Sequence, residues 1–329
     1  MFYPFPSIEQ YRTVIKKVKE HTQYIGKNID GTPIYDYTIA LPILRYQGTV
    51  KLHGTNAAII RHSDGNITYQ SRSRIITPLD DNCGFAAAMS CIDKADLFKS
   101  FNTDTVVVYG EWCGRGVQSG VAVTQLPKMF VIFKIKVNNE WVDMRQYQHI
   151  ELPECTIYNI YNFKTWDLTI DFNNPQDVQN ELASITEEVG AECPVGKHFG
   201  ISGIGEGVVW SCINEGYNHS DFVFKVKDER HTVTKVKTLA AVDVEKLNTV
   251  KDFVNSVVTE NRLRQGLDYL RERGLEIDVK NTGAFLKWLY NDVIKEELDT
   301  IEASGLEESE IGKAISAEGK KWFFNILNS

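Results

Sequence analysis

The sequence predicts an α+β protein: a mixed, mainly antiparallel β-sheet domain followed by an all-α C-terminal domain. Two observations carry this. The hydrophobic pattern changes near residue 240, from short β-rich runs bounded by Gly, Asn, Asp or Pro to apolar segments with a period near 3.6. A chain of 329 residues, 43% hydrophobic and 24% charged, is also long enough for two domains and ordinary enough in composition to fold as a globular protein. The expected division is 1–238 and 239–329.

Taken in order, the first expected helix covers Ser7 to Glu20. Strands follow in "GTVKLHGTNAAIIRH", "GNITYQSRSRII", "DTVVVYGEWC", "MFVIFKIKV" and "EWVDM", then in "EGVVWSC" and "DFVFKVK", all rich in β-branched and aromatic residues. Helices are expected near Cys83 to Phe98 and from Pro175 to Gly190, with Gly190 as a C-terminal cap. The last quarter supplies "DVEKLNTVKDFVNSVV", "ENRLRQGLDYLRERG", "TGAFLKWLYNDVIKEELDTIEASG" and "ESEIGKAISAEGKKWFFNIL", each with one apolar face.

Composition narrows the function classes. The six cysteines form no C-x-x-C pair and read as free thiols, and the start of the chain lacks the order of a signal peptide, which makes a cytoplasmic protein the default. No run of apolar residues is long enough for a membrane helix. A net charge of −8 weakly disfavours a nucleic-acid partner, although a local basic stripe can still meet phosphates.

Strand geometry gives some residues a common direction. Lys225 and Lys227 in "FKVKD" share one strand face while Phe224 and Val226 pack behind them, and the same spacing aligns Arg72 and Arg74 in "SRSRI". Either pair alone reads equally well as a charged outer face. Glu111 in "VVVYGEWCG" and Glu206 in "GIGEGVVW" each adjoin apolar strand and glycine, surroundings that restrict solvent. Solvated strand-end glutamates are the plainer alternative. "GIGEG" lacks the helix a dinucleotide-binding loop requires, and no phosphate-cradling G-x-x-x-x-G-K-[ST] loop occurs. Trp112 and Trp210 read as core.

In chain order, these fragments resemble the covalent nucleotidyltransferase superfamily of ligases and mRNA capping enzymes across residues 50 to 228. "KLHGTN" is similar to its K-x-[D/H]-G motif, which implies Lys51 as the nucleophile and gives His53 a place near the nucleotide. "SRSR" would set Arg72, and less surely Arg74, beside the nucleotide sugar or phosphate; "VYGEW" carries Glu111, "FVIFKI" the adenine-stacking Phe133, "EGVV" Glu206, and "FKVK" Lys225 and Lys227. Histidine after the lysine, followed by Gly-Thr-Asn, resembles the RNA ligase 2 type, the phage double-strand RNA ligases and RNA-editing ligases. The helical C-terminal domain is similar to that of the phage enzyme, where it helps engage RNA, and differs from the β-barrel of DNA ligases. Two departures stand out: about fifty residues precede Lys51, and Lys134 stands where an acid is expected.

The resemblance implies a nucleotidyltransferase (adenylyltransferase) domain over 1–238 and an ATP-dependent RNA ligase that joins 3′-hydroxyl and 5′-phosphate ends through lysyl-AMP, at nicks or bridged breaks in duplex RNA. ATP is the co-substrate and Mg2+, replaceable by Mn2+, the metal, with Glu111 and Glu206 as its carboxylates, directly or through water. Such a lysine attacks as a free amine, whereas an exposed lysine has a pKa of about 10.4. Burial and the positive charges of Lys225, Lys227 and the metal would lower it. RNA contact is expected along "FKVKDERHTVTKVK", which gathers Lys225, Lys227, Arg230, His231, Lys235 and Lys237. A monomer in the cytoplasm, host cytoplasm if viral, completes the expectation. The alternatives are a DNA ligase, a capping guanylyltransferase and a non-catalytic RNA-binding repair protein.

Overall fold

The computed structural model describes residues 1–102, 104–234, 239 and 249–328. In chain order the elements are β1 (Glu9–Gln10), α1 (Tyr11–Gln23), β2 (Tyr24–Lys27), β3 (Pro33–Tyr35), β4 (Ile43–Lys51), β5 (Thr55–Arg61), β6 (Ile67–Ser71) and β7 (Ile75–Ile76). They continue with α2 (Phe85–Ser90), α3 (Ala95–Phe98), β8 (Val106–Cys113), β9 (Met129–Val137), β10 (Glu140–Trp141), β11 (Ile157–Asn159), β12 (Thr165–Asp171), α4 (Gln179–Ala191), α5 (Pro194–His198), β13 (Gly207–Cys212) and β14 (Phe224–Lys227). The helices α6 (Val250–Val257), α7 (Glu260–Glu272), α8 (Thr282–Glu296), α9 (Leu298–Ser304) and α10 (Glu308–Leu327) complete the chain. Two compact units result, Met1–Glu9 with Val14–Asp228, and Gln10–Thr13 with Glu229–Ser329.

The first unit is built on two sheets. One has the order β1-β14-β13-β4-β12; the other runs β10-β9-β8-β5-β6-β7, with β11 added beside β9. Every pairing given for these strands is antiparallel except β11 with β9, so the mixed, mainly antiparallel prediction holds. Alternation sorts the strands of the second sheet: Ile59, Val106, Val108, Trp112, Phe130 and Ile132 enter one core with Phe85, while Ala58, Ile60, Val107 and Tyr109 form a smaller cluster on the opposite face. Trp112 and Trp210 are buried, as core residues should be.

Several local expectations are corrected. The run from Gly48 to His62 is two strands, because β4 ends at Lys51 and β5 starts at Thr55 in the other sheet. Arg72 and Arg74 share no strand face: β6 stops at Ser71, whose N–H bonds the Arg74 carbonyl across a tight turn at 2.8 Å. The helix expected over 83–98 is two short helices, and Gly190 lies inside α4 rather than capping it. "EWVDM" contributes two strand residues. β2, β3, β11, β12 and α5 had no counterpart in the sequence reading. In β12, "TWDLTID" alternates polar and apolar residues, a period-two strand pattern, and pairs along β4 from Thr165↔Thr49 to Asp171↔Ile43.

The second unit packs α6–α10 around Phe253, Leu270, Phe285, Leu289, Ile311, Ile315 and Phe323. Its interior also holds charge. Arg262, fully buried, pairs with Asp292 at 2.9 Å, Glu296 at 3.1 Å and Glu297 at 3.5 Å, and Arg12 meets the same buried Glu297 at 2.8 Å. Glu297 also divides the helix expected from Thr282 to Gly305 into α8 and α9. The 238/239 boundary, Lys235, Lys237 and the expected helix start over 243–248 involve residues outside the described part.

Candidate active site

The segment Lys51 to Gly54 is where the chain leaves one sheet for the other. β4 lies between β13 and β12, so Lys51 ends a strand held on both sides, opposite Gly207 on β13. Gly207 is in turn opposite Lys227 on β14, which brings the ends of three strands together. Gly207 has φ +150°, and a Cβ there would stand 2.2 Å from the Val226 carbonyl oxygen, so glycine permits this approach.

Glu206 is the hub. Its carboxylate accepts from Lys51 Nζ at 2.8 Å and from Lys227 Nζ at 3.0 Å, and lies 3.3 Å from His53 Nδ1. The Glu206 side chain is 4% exposed against 20% for Lys51 and 11% for Lys227, so the carboxylate sits beneath the amines. Burial alone would raise its pKa. The two ammonium groups and the His53 hydrogen bond outweigh burial and hold the carboxyl well below the usual range.

Glu111 approaches from the second sheet. It stands opposite Asn56 on β5, and its Oε1 accepts the Gly54 backbone N–H at 3.0 Å. A Cβ on Gly54 would lie 2.3 Å from the Trp112 carbonyl oxygen, so the motif glycine allows the crossover to press against β8. Burial pushes the Glu111 carboxyl up to about 7; Lys51, the Gly54 N–H and His53 draw it down, and Glu206 adds to the rise. Two neighbouring carboxyls thus move in opposite directions, a pattern common where groups share out acid and base work.

The remaining candidates are placed less uniformly. Lys225 shares the β14 face of Lys227, with Phe224 and Val226 buried behind. Phe133, two residues along β9 from the Val131 that faces Glu111, is half-buried against Phe5, ring centroids 5.1 Å apart and edge-on. Lys134 lies beside Trp141, where burial lowers its pKa. Arg72 reaches the Pro6 carbonyl and Ser7 Oγ at 3.5 and 3.4 Å, and Arg74 pairs with Asp80 at 2.8 Å. The sequence reading missed Asn82, whose side-chain amide donates to Thr55 Oγ1 at 3.1 Å and braces the start of β5. Nothing in its sequence neighbourhood signals that contact.

No group of three or more His, Cys, Asp or Glu side chains positioned to cage a metal occurs among the described residues. Magnesium needs no such cage, being ordinarily held by one or two carboxylates together with water and substrate phosphates, and Glu111 and Glu206 are carboxylates of the right chemistry for it. No helix among the described residues is long and apolar enough to cross a membrane.

Comparison with curated proteins finds no match. Among solved structures, the chain is similar to a Naegleria gruberi RNA ligase in several forms. A lysine-to-methionine mutant with AMP and Mn matches at TM-score 0.46 and 15% identity, over 70% of this chain and 57% of that one. A lysine-to-alanine mutant with ATP and Mn gives 0.45 and 15%, over 68% and 56%, and the form with PPi gives 0.46 and 15%, over 70% and 57%. The chain therefore spans just over half the length of these structures. The family model described as RNA ligase matches residues 44–227, more than half of the chain and the stretch from the second residue of β4 to Lys227. On that match, this chain belongs to the RNA ligase family.

Proposed function

We propose that the protein is an ATP-dependent RNA ligase of the RNA ligase 2 type, acting through lysyl-AMP on nicks or bridged breaks in duplex RNA. The observation that carries this reading is the placement of Lys51 at a strand end, 2.8 Å from a buried carboxylate that also engages Lys227 and His53.

Catalysis needs Lys51 to lose its proton and turn its lone pair from Glu206 toward the α-phosphorus of ATP. Glu206, held strongly ionised, is a poor base; it aims the amine, and the proton passes to water. The N–P bond forms as the bond to pyrophosphate breaks. Lys227 and Lys225 stand on one face to meet negative charge on the phosphate oxygens. The Glu111 carboxylate, fixed by the Gly54 N–H, would hold the metal with Glu206. That metal supplies charge neutralisation and orientation at the phosphates. Phe133 would stack on adenine and His53 would contact the nucleotide, with Arg72 reaching its sugar or phosphate. An RNA 5′-phosphate oxygen then takes the AMP from Lys51, breaking the P–N bond. Finally an adjacent 3′-hydroxyl attacks that 5′-phosphate and AMP leaves. Domains 1–238 and 239–329 would divide adenylylation from RNA engagement.

The test is ATP labelled at the α-phosphate. Label should attach to the wild-type protein with Mg2+ or Mn2+ and vanish in Lys51→Ala; an unlabelled wild-type protein would sink the reading. Sealing of a nicked RNA duplex compared with a single strand tests the substrate.

A further inference from the structure

Between α1 and β4 the strands β2 and β3 form a sheet of their own. Backbone and side-chain bonds anchor it: the Asp36 N–H donates to the Gln23 carbonyl at 2.8 Å, and the Gln23 side-chain amide to the Ile39 carbonyl at 2.9 Å. Tyr24 lies opposite Tyr35 and Lys27 opposite Pro33, so this register puts tyrosines and lysine on one face. The Tyr24 and Tyr35 rings meet edge-on at 6.2 Å, and Tyr35 stacks with Tyr37 at 6.1 Å and 27°. Lys19 of α1 holds its Nζ 5.4 Å from the Tyr37 ring centroid. Tyr37 nevertheless remains 69% exposed and Tyr24 45%.

One aromatic cross-strand pair stabilises a hairpin, but that role needs neither Tyr37 nor the two lysines. The nearby carboxylates of Asp30 and Asp36 accept hydrogen bonds from Thr32 and Thr38. We propose that this face binds a single-stranded stretch of RNA; the identity of the polymer rests on the ligase reading. Exposed tyrosines accept the face of any base, and lysines meet the intervening phosphates. A duplex hides its base faces and is the poorer match. In the chain the hairpin precedes β4, the strand that runs from Ile43 to Lys51.

The experiment measures binding of fluorescent RNA of about 20 nucleotides, single-stranded or as a blunt duplex, to the full chain by anisotropy. Tyr24→Ala/Tyr37→Ala should weaken the single strand by about tenfold or more and leave the duplex alone, while Tyr24→Phe/Tyr37→Phe retains affinity. Lys19→Glu/Lys27→Glu, two exposed changes, should weaken the single strand as well. Unchanged affinity in the alanine and glutamate variants overturns the proposal. So does equal loss on the blunt duplex, or a concentration-dependent dimer that the alanine variant abolishes. The two readings fail separately. Label on Lys51 with tyrosine-independent RNA binding removes this proposal alone, whereas tyrosine-dependent binding without label removes the ligase reading alone.

Discussion

The two glutamates have opposite electrostatic fates, and pH should expose the difference. Glu206 is drawn below the carboxylate range, so its contribution to stability is present above the ordinary value of 4.5 and is lost as pH falls toward the lowered one. Glu111 is raised from 4.5 to about 7, so the folded chain keeps a proton the unfolded chain releases; its contribution to stability falls as pH rises through that window. Urea titrations at several pH values should show the Glu111 slope disappear in Glu111→Gln. On the proposed metal role of Glu111, label transfer to Lys51 should also fall as pH drops below about 7, and the Glu111 part of this fall should be missing from the residual activity of Glu111→Gln, leaving the dependence set by deprotonation of Lys51. Glu206→Gln keeps the shape of the hub but removes its charge, and should slow label transfer by about 100-fold or more. The residue types of this hub could be read from "KLHGTN", "VYGEW", "EGVV" and "FKVK". That Glu206 receives two lysines and a histidine at once could not, because those groups are separated by up to 176 positions of chain and meet only through sheet pairing.

At the scale of elements, backbone clearance decides the site. Gly54→Ala would drive a Cβ to 2.3 Å from the Trp112 carbonyl oxygen and displace the N–H that holds Glu111. It should cost about 2 kcal/mol or more in denaturant unfolding and abolish labelling. Gly207→Ala adds a positive φ to a 2.2 Å clash and should behave alike. Elements with a strong intrinsic signal were legible: the strand "MFVIFKIKV" and the 20-residue helix from Glu308 to Leu327 have the extents read from their periodicity. The β2–β3 hairpin was not, since Gly26 and Pro33 weaken its local preference and cross-strand partners supply the order; β12 was passed over although "TWDLTID" alternates polar and apolar residues. The turn at Ser71–Arg74 shows the converse, a β-like sequence bent by one backbone hydrogen bond.

For the molecule as a whole, each unit carries its own core, and the helical unit depends on a buried charge cluster. Removing Arg262 takes the shared buried cation away from Asp292, Glu296 and Glu297, and Arg262→Ala should destabilise that unit by about 3–5 kcal/mol in denaturant unfolding. On the proposed division of labour, the same variant should keep label transfer to Lys51 and lose RNA sealing. The sequence by itself determined the change from β-rich to helical pattern, the motif residues and the family they resemble. These follow from periodicity and residue type, which are local. Only the tertiary structure decided that Glu206 is the shared partner of Lys51, Lys227 and His53, that Gly54 ties Glu111 to the crossover, that Tyr24 pairs with Tyr35 across the hairpin, and that Lys19 of α1 stands over Tyr37. Those outcomes depend on strand register and on how closely backbones approach, and neither is encoded within any single stretch of chain.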